Sequence, residues 1–430
     1  MDSKYSTEIS ILGYSEEKNT MERDLVLILV AGLAYSTMLG LLNPTVPLSA
    51  SALGASTTLL GILLSSRAIV QTGLRVPLGQ GADRYGWRRI FLVAFILGVA
   101  SGGTFFFGIV KADVFLFFPA LMLWGMTNAA FRTTEQGYVS GIGGSGVNRT
   151  QLIGRYLAIT GVGQLAGPPL AGYLIEVWDF GVVYLMFTLL ALIGLLSMFF
   201  LSERDLIADE NSEEPEKVND DLELFKSYSR ALQLIRSNRI LAIATFCGFL
   251  MTLSFGVGLS FHPVFLRDLG LASFEIGLLL AARDISSIIS RLFAGNISLR
   301  LGNLVTVFLG IFCVGIGVAI TPSLKDPLLA IIPLCATGFG FGIFWPAIVS
   351  LIAAKTDHDK RGLAIGVLGT GFTTGFSVGS IIFGIVADIF SNLDYAFLYS
   401  GICTLIGFTL VVVYFYFKKD LYTQIDLYSQ

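Results

Sequence analysis

Several charged side chains lie inside long apolar segments of this sequence. Seven of them are candidates for chemistry: Arg67, Arg75, Arg132, Glu135, Arg283, Asp284 and Arg291. Each costs roughly 2.5 to 3.5 kcal/mol to insert near the centre of a bilayer, so such a group is expected to be paired or to face water. Guanidinium groups bind carboxylates and phosphates, and a buried carboxylate can take up and release a proton. These residue types therefore predict anion binding and proton transfer.

Two of the arginines, Arg67 and Arg283, occupy equivalent positions 216 residues apart, near the middle of two apolar segments. We expect their guanidinium groups on opposite walls of one cavity, where they would hold a solute that is anionic or carries an acidic group. The alternative is that both pair with local acids or helix carbonyls and hold their own bundles together. Arg75 and Arg291 lie nearer the inner ends, where a structural or gating role is expected.

Glu135 and Asp284 are the candidates for proton coupling. Arg132 precedes Glu135 by three residues and shares its helical face, so a simple ion pair is the alternative there. Asp284 directly follows Arg283, so it is expected to point elsewhere and to be free either to pair across the bundle or to load a proton.

Further polar and aromatic residues are expected on the cavity wall. They are Asn43, Trp124, Asn128, Trp345, Thr370 and Thr374. Packing is the alternative for Trp345, and His262 is expected at the outer mouth of the protein.

The segments that position these residues are transmembrane helices. Among 430 residues, 54% are hydrophobic and only 14% are charged, which excludes an ordinary soluble protein. Stretches of about twenty apolar residues recur along the chain. The predicted spans are 25–47, 57–78, 90–110, 115–136, 153–175, 181–201, 240–262, 273–294, 304–322, 328–352, 363–387 and 395–417. The fold class is thus an all-α integral membrane protein with twelve transmembrane helices in two pseudo-symmetric six-helix bundles.

An internal repeat relates the two bundles. A shift of 216 residues superimposes Leu53, Gly54, Gly61, Leu63, Leu64, Arg67, Arg75, Gly79, Arg84 and Gly86 on identical residues, from Leu269 to Gly302. A shift of 212 places Glu176 on the similar Asp388. Parallel repeats of six helices form two bundles that face each other across an axis normal to the membrane.

The predicted organisation follows from the spans and the distribution of basic residues. It comprises a cytoplasmic tail (1–24), an N-terminal bundle (25–202), a cytoplasmic linker with an amphipathic helix (203–239), a C-terminal bundle (240–417) and a cytoplasmic tail (418–430). With the amino terminus inside, only Lys111, Arg267 and Lys325 lie in outer loops, so the positive-inside rule places both termini in the cytoplasm.

The loop between the second and third spans carries a family signature. It includes Gly79, Asp83, Arg84, Gly86, Arg88 and Arg89, and it resembles the signature loop of the major facilitator superfamily. The resemblance implies that Asp83 caps a neighbouring helix when the inner side is closed. The equivalent loop keeps Gly295, Arg300 and Gly302 but has Leu299 where the acid would be.

The fifth span resembles the antiporter motif of the same superfamily through Gly154, Gly163, Gly167, Pro168 and Gly172. That motif is associated with proton-driven exporters and gives a smooth helix face. Another exporter feature is missing, because Leu121 stands where an arginine precedes the glycine of the fourth span.

The sequence predicts a secondary transporter of a small organic solute by alternating access, with proton-coupled efflux favoured over uptake or exchange of an organic anion. A transporter-like receptor or scaffold without flux is the alternative of another class. No catalytic grouping, metal-ligand cluster or nucleotide loop stands out, so we expect no enzyme, no cofactor, no metal and no nucleic-acid partner. The expected partners are the lipid bilayer, the solute and protons, for a monomer in the plasma membrane.

Overall fold

In the computed structural model, which describes residues 2–142, 147–202, 238–356 and 361–417, the chain forms twelve long helices. They are α1 (Asp2–Ala52), α2 (Thr57–Tyr85), α3 (Trp87–Lys111), α4 (Phe117–Ile142), α5 (Val147–Val177), α6 (Phe180–Phe199), α7 (Arg239–Asp268), α8 (Ser273–Leu301), α9 (Asn303–Ile320), α10 (Ile331–Lys355), α11 (Arg361–Phe390) and α12 (Leu393–Phe417). Helix α1 includes most of the predicted tail 1–24 in its backbone. The predicted linker up to residue 237 and the tail 418–430 lie outside the described residues.

These helices satisfy their own backbone hydrogen bonds, which is what a chain in lipid requires. Within the described ranges, nine of them are long and apolar enough to span a membrane. The other three, α2, α5 and α8, pack between the halves of the molecule, as α11 also does. The prediction of an all-α membrane protein with twelve helices in two bundles is confirmed.

The repeat is visible in the backbone as well as in the sequence. Gly54 and Gly270 have φ of 82° and 88° in the turns that precede α2 and α8. Gly86 and Gly302 both have φ of 87° in the turns that follow these helices. Residues with a Cβ rarely adopt this conformation, so the glycines at both ends of α2 and α8 are required by the turns.

The halves, α1–α6 and α7–α12, meet mainly where α2 packs on α11 and α5 packs on α8. We call the end of the bundle at which α2 and α8 begin the distal end, and the opposite end, where α12 finishes, the terminal end. Four glycines bring the two halves together toward the distal end, and we call these contacts the distal seal: Gly61, Gly172, Gly277 and Gly384. A Cβ built on any of them would lie 2.2 to 2.7 Å from a carbonyl oxygen of the other half. The halves therefore close only because these positions have no side chain.

Gly61→Ala should prevent α2 and α11 from closing and should lower the melting temperature of the purified protein. The cause is steric, since the new Cβ would lie 2.2 Å from the Ser380 carbonyl oxygen. Gly73→Ala on the same helix is the matched control, because a Cβ there meets nothing within 4 Å. Alanine favours a helix by about 1 kcal/mol over glycine, so the control should match or exceed the parent protein. Equal melting temperatures for the two variants, measured in detergent, would contradict the claim that closure of the distal end requires glycine at position 61.

Candidate functional site

A small cavity lies between the two halves, and Arg67 lies on its wall. Its volume is about 30 Å³. The first half contributes Leu42, Asn43, Val46, Pro47, Leu64, Arg67 and Leu121, and the second contributes Leu259 and Phe376. The cavity is thus mostly apolar, with one guanidinium group and one amide.

The Arg67 side chain has no acidic partner among the residues that the structure describes. Its Nε atom is buried and has no hydrogen-bond partner, and no ion pair involves Arg67 within the described ranges. An uncompensated charge taken out of water is costly. The Arg67 side chain can therefore donate hydrogen bonds to a negatively charged group in this cavity and offset its charge.

Arg283 has the same backbone setting as Arg67 but a different side-chain environment. The carbonyl oxygen of Arg67 packs against Gly125, where it would lie 2.7 Å from a Cβ atom built on that glycine. The carbonyl oxygen of Arg283 packs against Gly338 in the same way, at 2.1 Å. Arg283 is only 4% exposed, and it does not line the cavity that holds Arg67. The expectation of two guanidinium groups on opposite walls of one cavity is therefore wrong for Arg283.

The reason is an ion pair with the next residue. The Nε and Nη2 atoms of Arg283 donate to Oδ1 of Asp284 at 3.0 and 2.8 Å. The expectation that Asp284 points elsewhere is also wrong. Consecutive side chains diverge on a helix, but the long arginine folds back because burial penalises an unpaired charge. Oδ2 of Asp284 is buried without a partner.

His262 lies inside the second half, not at the outer mouth. It is 1% exposed, its ring stacks on that of Phe397 at 4.9 Å, and its Nε2 atom lies 3.4 Å from the Thr321 hydroxyl. The expectation of an interface histidine is corrected accordingly.

Glu135 lies in a polar cluster within the first half. It is 1% exposed, and its Oε2 accepts from Nη1 of Arg132 at 3.5 Å. Its other oxygen accepts from the hydroxyl of Tyr156 on α5. Arg132 remains 35% exposed and lies over the Tyr35 ring at 5.8 Å. The arginine thus connects a buried carboxylate with a more open region.

Two of the predicted wall residues pack inside the first half instead. Trp124 is fully buried, with its ring 5.4 Å from Tyr35 and 5.2 Å from Phe187. Asn128 is 6% exposed. The cavity-wall assignment is wrong for Trp124, because its aromatic surface is used entirely in packing.

The predicted wall residues of the second half are partly accessible. Trp345 is 37% exposed and packs edge-on against Phe372 at 5.1 Å. The hydroxyls of Thr370 and Thr374 donate to carbonyls of their own helix, those of Val367 and Thr370. Neither hydroxyl proton is therefore available to a solute in this state.

The antiporter motif forms contact surfaces on two sides of α5. Gly163 and Gly167 face α1, where a built Cβ would lie 2.8 Å from the Leu33 carbonyl oxygen and 2.5 Å from Cα of Gly40. Gly172 and Pro168 meet α8 at the distal seal, whereas a Cβ on Gly154 meets nothing within 4 Å. Helix α5 can therefore approach both halves closely.

The signature loops are described in part. The side chains of Arg75, Asp83 and Arg84 lie outside the described residues, and so do the surroundings of Gly79. Arg88 donates through Nη2 to the carbonyl oxygen of Phe199 at 2.5 Å, which ties the start of α3 to the end of α6. Arg89 and Arg300 are exposed, and Gly295 has open space around it.

Sequence reasoning missed Tyr156, Glu176 and Asp388 as polar contact residues. Tyr156 and Glu135 lie on different helices, so no sequence spacing connects them. The alignment of Glu176 with Asp388 was the available signal for the other two, and both of them lie at the distal seal.

The ion pair of Arg283 and Asp284 should behave as a structural unit. Arg283→Gln would leave a buried carboxylate unpaired and should lower the free energy of unfolding by about 3 to 5 kcal/mol. The double variant Arg283→Gln/Asp284→Asn should recover much of that loss. Denaturant unfolding in detergent measures both. Additive losses in the double variant would show that the two side chains do not interact.

A duplicated bundle of twelve helices with a polar group in a cavity between its halves defines a multi-pass membrane transporter. Residues 28–343 and 244–424 match the Major Facilitator Superfamily, and the chain belongs to this family. The family resemblance predicted from the signature loop is confirmed.

Relatives in sequence and in structure agree with this membership. The chain is 22% identical over 367 residues to the uncharacterized MFS-type transporter MJ1560 of Methanocaldococcus jannaschii, covering 83% of this chain and 89% of that protein. It is 24% identical over 176 residues to the quinolone resistance protein NorA of Staphylococcus aureus, covering 41% of this chain and only 45% of NorA. The crystal structure of the nucleoside transporter NupG in a mutant form superposes with a TM-score of 0.74 at 14% identity, covering 91% of this chain and 99% of that one.

Proposed function

We propose that this protein is a secondary transporter that moves a small organic solute with an acidic group by alternating access, driven by protons and directed out of the cell. The observation that carries the proposal is Arg67, which lies in the cavity between the halves with an unpartnered Nε atom and no acidic partner among the described residues. The similarity to NorA and the antiporter motif in α5 support export.

The cavity chemistry favours an amphipathic acid. Arg67 offers a planar set of donors that matches a carboxylate or a phosphate. Asn43 adds an amide, and residues such as Leu121 and Phe376 provide apolar contacts. Leu121 of α4 occupies the position of the exporter arginine and faces the same cavity, so in this protein the cation on the cavity wall is Arg67 of α2.

The cavity size supports alternating access. A volume of about 30 Å³ is room for one or two water molecules and not for an organic solute. A solute can reach Arg67 only if the halves separate. Since the seal of close glycine contacts holds the distal end, we infer that the solute enters from the terminal end in this state.

Glu135 is the better candidate for the coupling proton. Its only charged partner among the described residues is Arg132, which is partly exposed. The two side chains lie 3.5 Å apart, so a small movement of the arginine would break the pair. Asp284 is held by two shorter bonds to a buried arginine, which suits a structural role. We propose that Tyr156 holds the Glu135 carboxyl group in place whether or not it carries a proton.

Sidedness and location are part of the proposal. The basic residues of the signature loops and termini support a cytoplasmic location for the terminal end under the positive-inside rule. The proposed location is the plasma membrane, and the proposed unit is a monomer, since each chain contains both halves of the cavity.

Uptake or exchange of an organic anion is the second candidate. An anion bound to Arg67 is compatible with either direction of movement, and NupG, a nucleoside transporter, has a similar fold. A scaffold without flux is the alternative of another class, and it predicts binding without counterflow.

Arg67→Gln should weaken binding of acidic solutes by about 10- to 100-fold, the value of a hydrogen bond to a charged group. A thermal-shift screen of the purified protein with paired probes, each a carboxylic acid and its amide, identifies ligands because a bound ligand stabilises the folded state. Lys325→Gln, which removes an exposed cation outside the cavity, is the matched control. The proposal of an acidic solute would be refuted if amides but not acids stabilised the protein, or if Arg67→Gln bound acids with unchanged affinity.

Glu135→Gln should abolish accumulation driven by a pH gradient in proteoliposomes, because the neutral amide cannot carry a proton. Counterflow of the same solute without a gradient should persist. Asp284→Asn tests the rival candidate and should retain the gradient response. If instead Asp284→Asn loses the gradient response and Glu135→Gln retains it, the coupling residue is Asp284.

A further inference from the structure

Two carboxylates cross between the halves at the distal end of the bundle. Asp388, near the end of α11, accepts from the first two backbone N–H groups of α2: Thr57 N donates to Oδ1 at 3.0 Å and Thr58 N donates to Oδ2 at 2.8 Å. The Thr57 hydroxyl also donates to Asp388 and to the carbonyl oxygen of Gly384.

The second carboxylate repeats this contact in the other direction. Glu176, near the end of α5, accepts from Phe274 N of α8 through Oε2 at 3.2 Å. Glu176 and Asp388 correspond under the 212-residue shift, and Thr58 and Phe274 correspond under the 216-residue shift. Each half therefore supplies an acid to the second helix of the other half.

These acids satisfy groups that a helix cannot satisfy itself. The first four N–H groups of a helix have no partner within it, and the helix dipole favours negative charge at this end. In α2 the Ser56 hydroxyl accepts only from Leu59 N, at 3.2 Å. In α8 the N-cap position is Ala272, whose side chain cannot accept a hydrogen bond. The caps supplied by the opposite half exist only while the distal end is closed.

We propose that Asp388 and Glu176 form a distal latch, which stabilises the state closed at the distal end and must release before solute can pass there. The latch rests on alternating access, as proposed above. It is the counterpart, at the opposite end, of the role that the family resemblance implies for Asp83. Asp388 carries most of the effect, because it accepts three hydrogen bonds from α2 whereas Glu176 accepts one.

Other carboxylates at the same end show what a simple cap looks like. Glu275 accepts from Ala272 N at 2.8 Å, and Asp179 accepts from Val182 N at 3.0 Å. Both bonds lie within one half and survive any separation of the halves. Glu275→Gln and Asp179→Asn are therefore matched controls for the latch.

Labelling of a cysteine beneath the latch tests the proposal. Ser65 of α2 is 1% exposed, and its hydroxyl donates to the carbonyl oxygen of Ser377 on α11, in the other half, at 3.2 Å. Ser65→Cys, in a chain whose four native cysteines are replaced by alanine, should react slowly with a membrane-impermeant maleimide. Asp388→Asn should accelerate this reaction roughly fivefold, given typical energies for a charge at a helix end. The double variant Glu176→Gln/Asp388→Asn should accelerate it further. Glu176→Gln alone should have a smaller effect than Asp388→Asn.

The outcomes separate the latch from its rivals. Unchanged labelling in both Asp388→Asn and the double variant would overturn the proposal. An equal acceleration in Glu275→Gln or Asp179→Asn would also overturn it, because it would indicate general loosening of the distal end. Asp388→Glu keeps the charge and should restore much of the protection.

A second measurement requires no latch substitution. The two carboxylates are exposed, so salt screens their attraction to the helix ends. Labelling of the Ser65→Cys protein should accelerate as salt is raised, and a salt-independent rate would overturn the proposal even if the latch variants fail to fold. No solute is required in either assay, so the latch and the Arg67 assignment can fail independently.

Discussion

The cost of an unsatisfied polar group in a membrane governs this structure. It makes the described chain helical, since only a helix satisfies its own backbone there. It folds Arg283 onto the adjacent Asp284 and gives Glu135 both Arg132 and Tyr156 as partners. It also accounts for the carboxylates that cross the distal seal, because the free N–H groups at the starts of α2 and α8 need acceptors. Arg67 differs from these groups because it lies on the wall of the cavity between the halves, with a buried Nε atom that has no hydrogen-bond partner. This combination is the best indication of where a solute binds.

The same constraint connects the two halves of the molecule with the proposed cycle. At the distal end, glycines allow backbone contact and acids cap the opposing helices, so closure satisfies groups that opening would return to water. The cavity at Arg67 lies between the halves and is too small for an organic solute in this state. Opening one end therefore exposes Arg67 and, in the proposed cycle, closes the other. The two processes are linked because both involve the same rigid helices, α2, α5, α8 and α11.

Much of the fold was predictable because its signals are local or periodic. Apolar length predicted the helices, and the 216-residue shift paired the glycines at which equivalent turns are found, Gly54 with Gly270 and Gly86 with Gly302. Contacts between helices were not predictable, since no spacing joins Glu135 to Tyr156 or Asp388 to Thr57. The symmetry argument placed Arg67 and Arg283 alike, and their backbones are alike, but one adjacent residue, Asp284, gives the second arginine a different environment. Trp124 was misassigned because an indole inside an apolar helix suits packing as well as binding.

The central claim is that the two ends of the bundle open in alternation around Arg67. Pulsed electron spin resonance on two label pairs measures this directly, with one pair at Ser51 and Asn392 across the distal end and another at Arg89 and Asn303 across the terminal end. The account predicts that a transported solute lengthens the distal distance and shortens the terminal one. Distances that lengthen together, or that both stay fixed while solute crosses the membrane, would contradict alternating access.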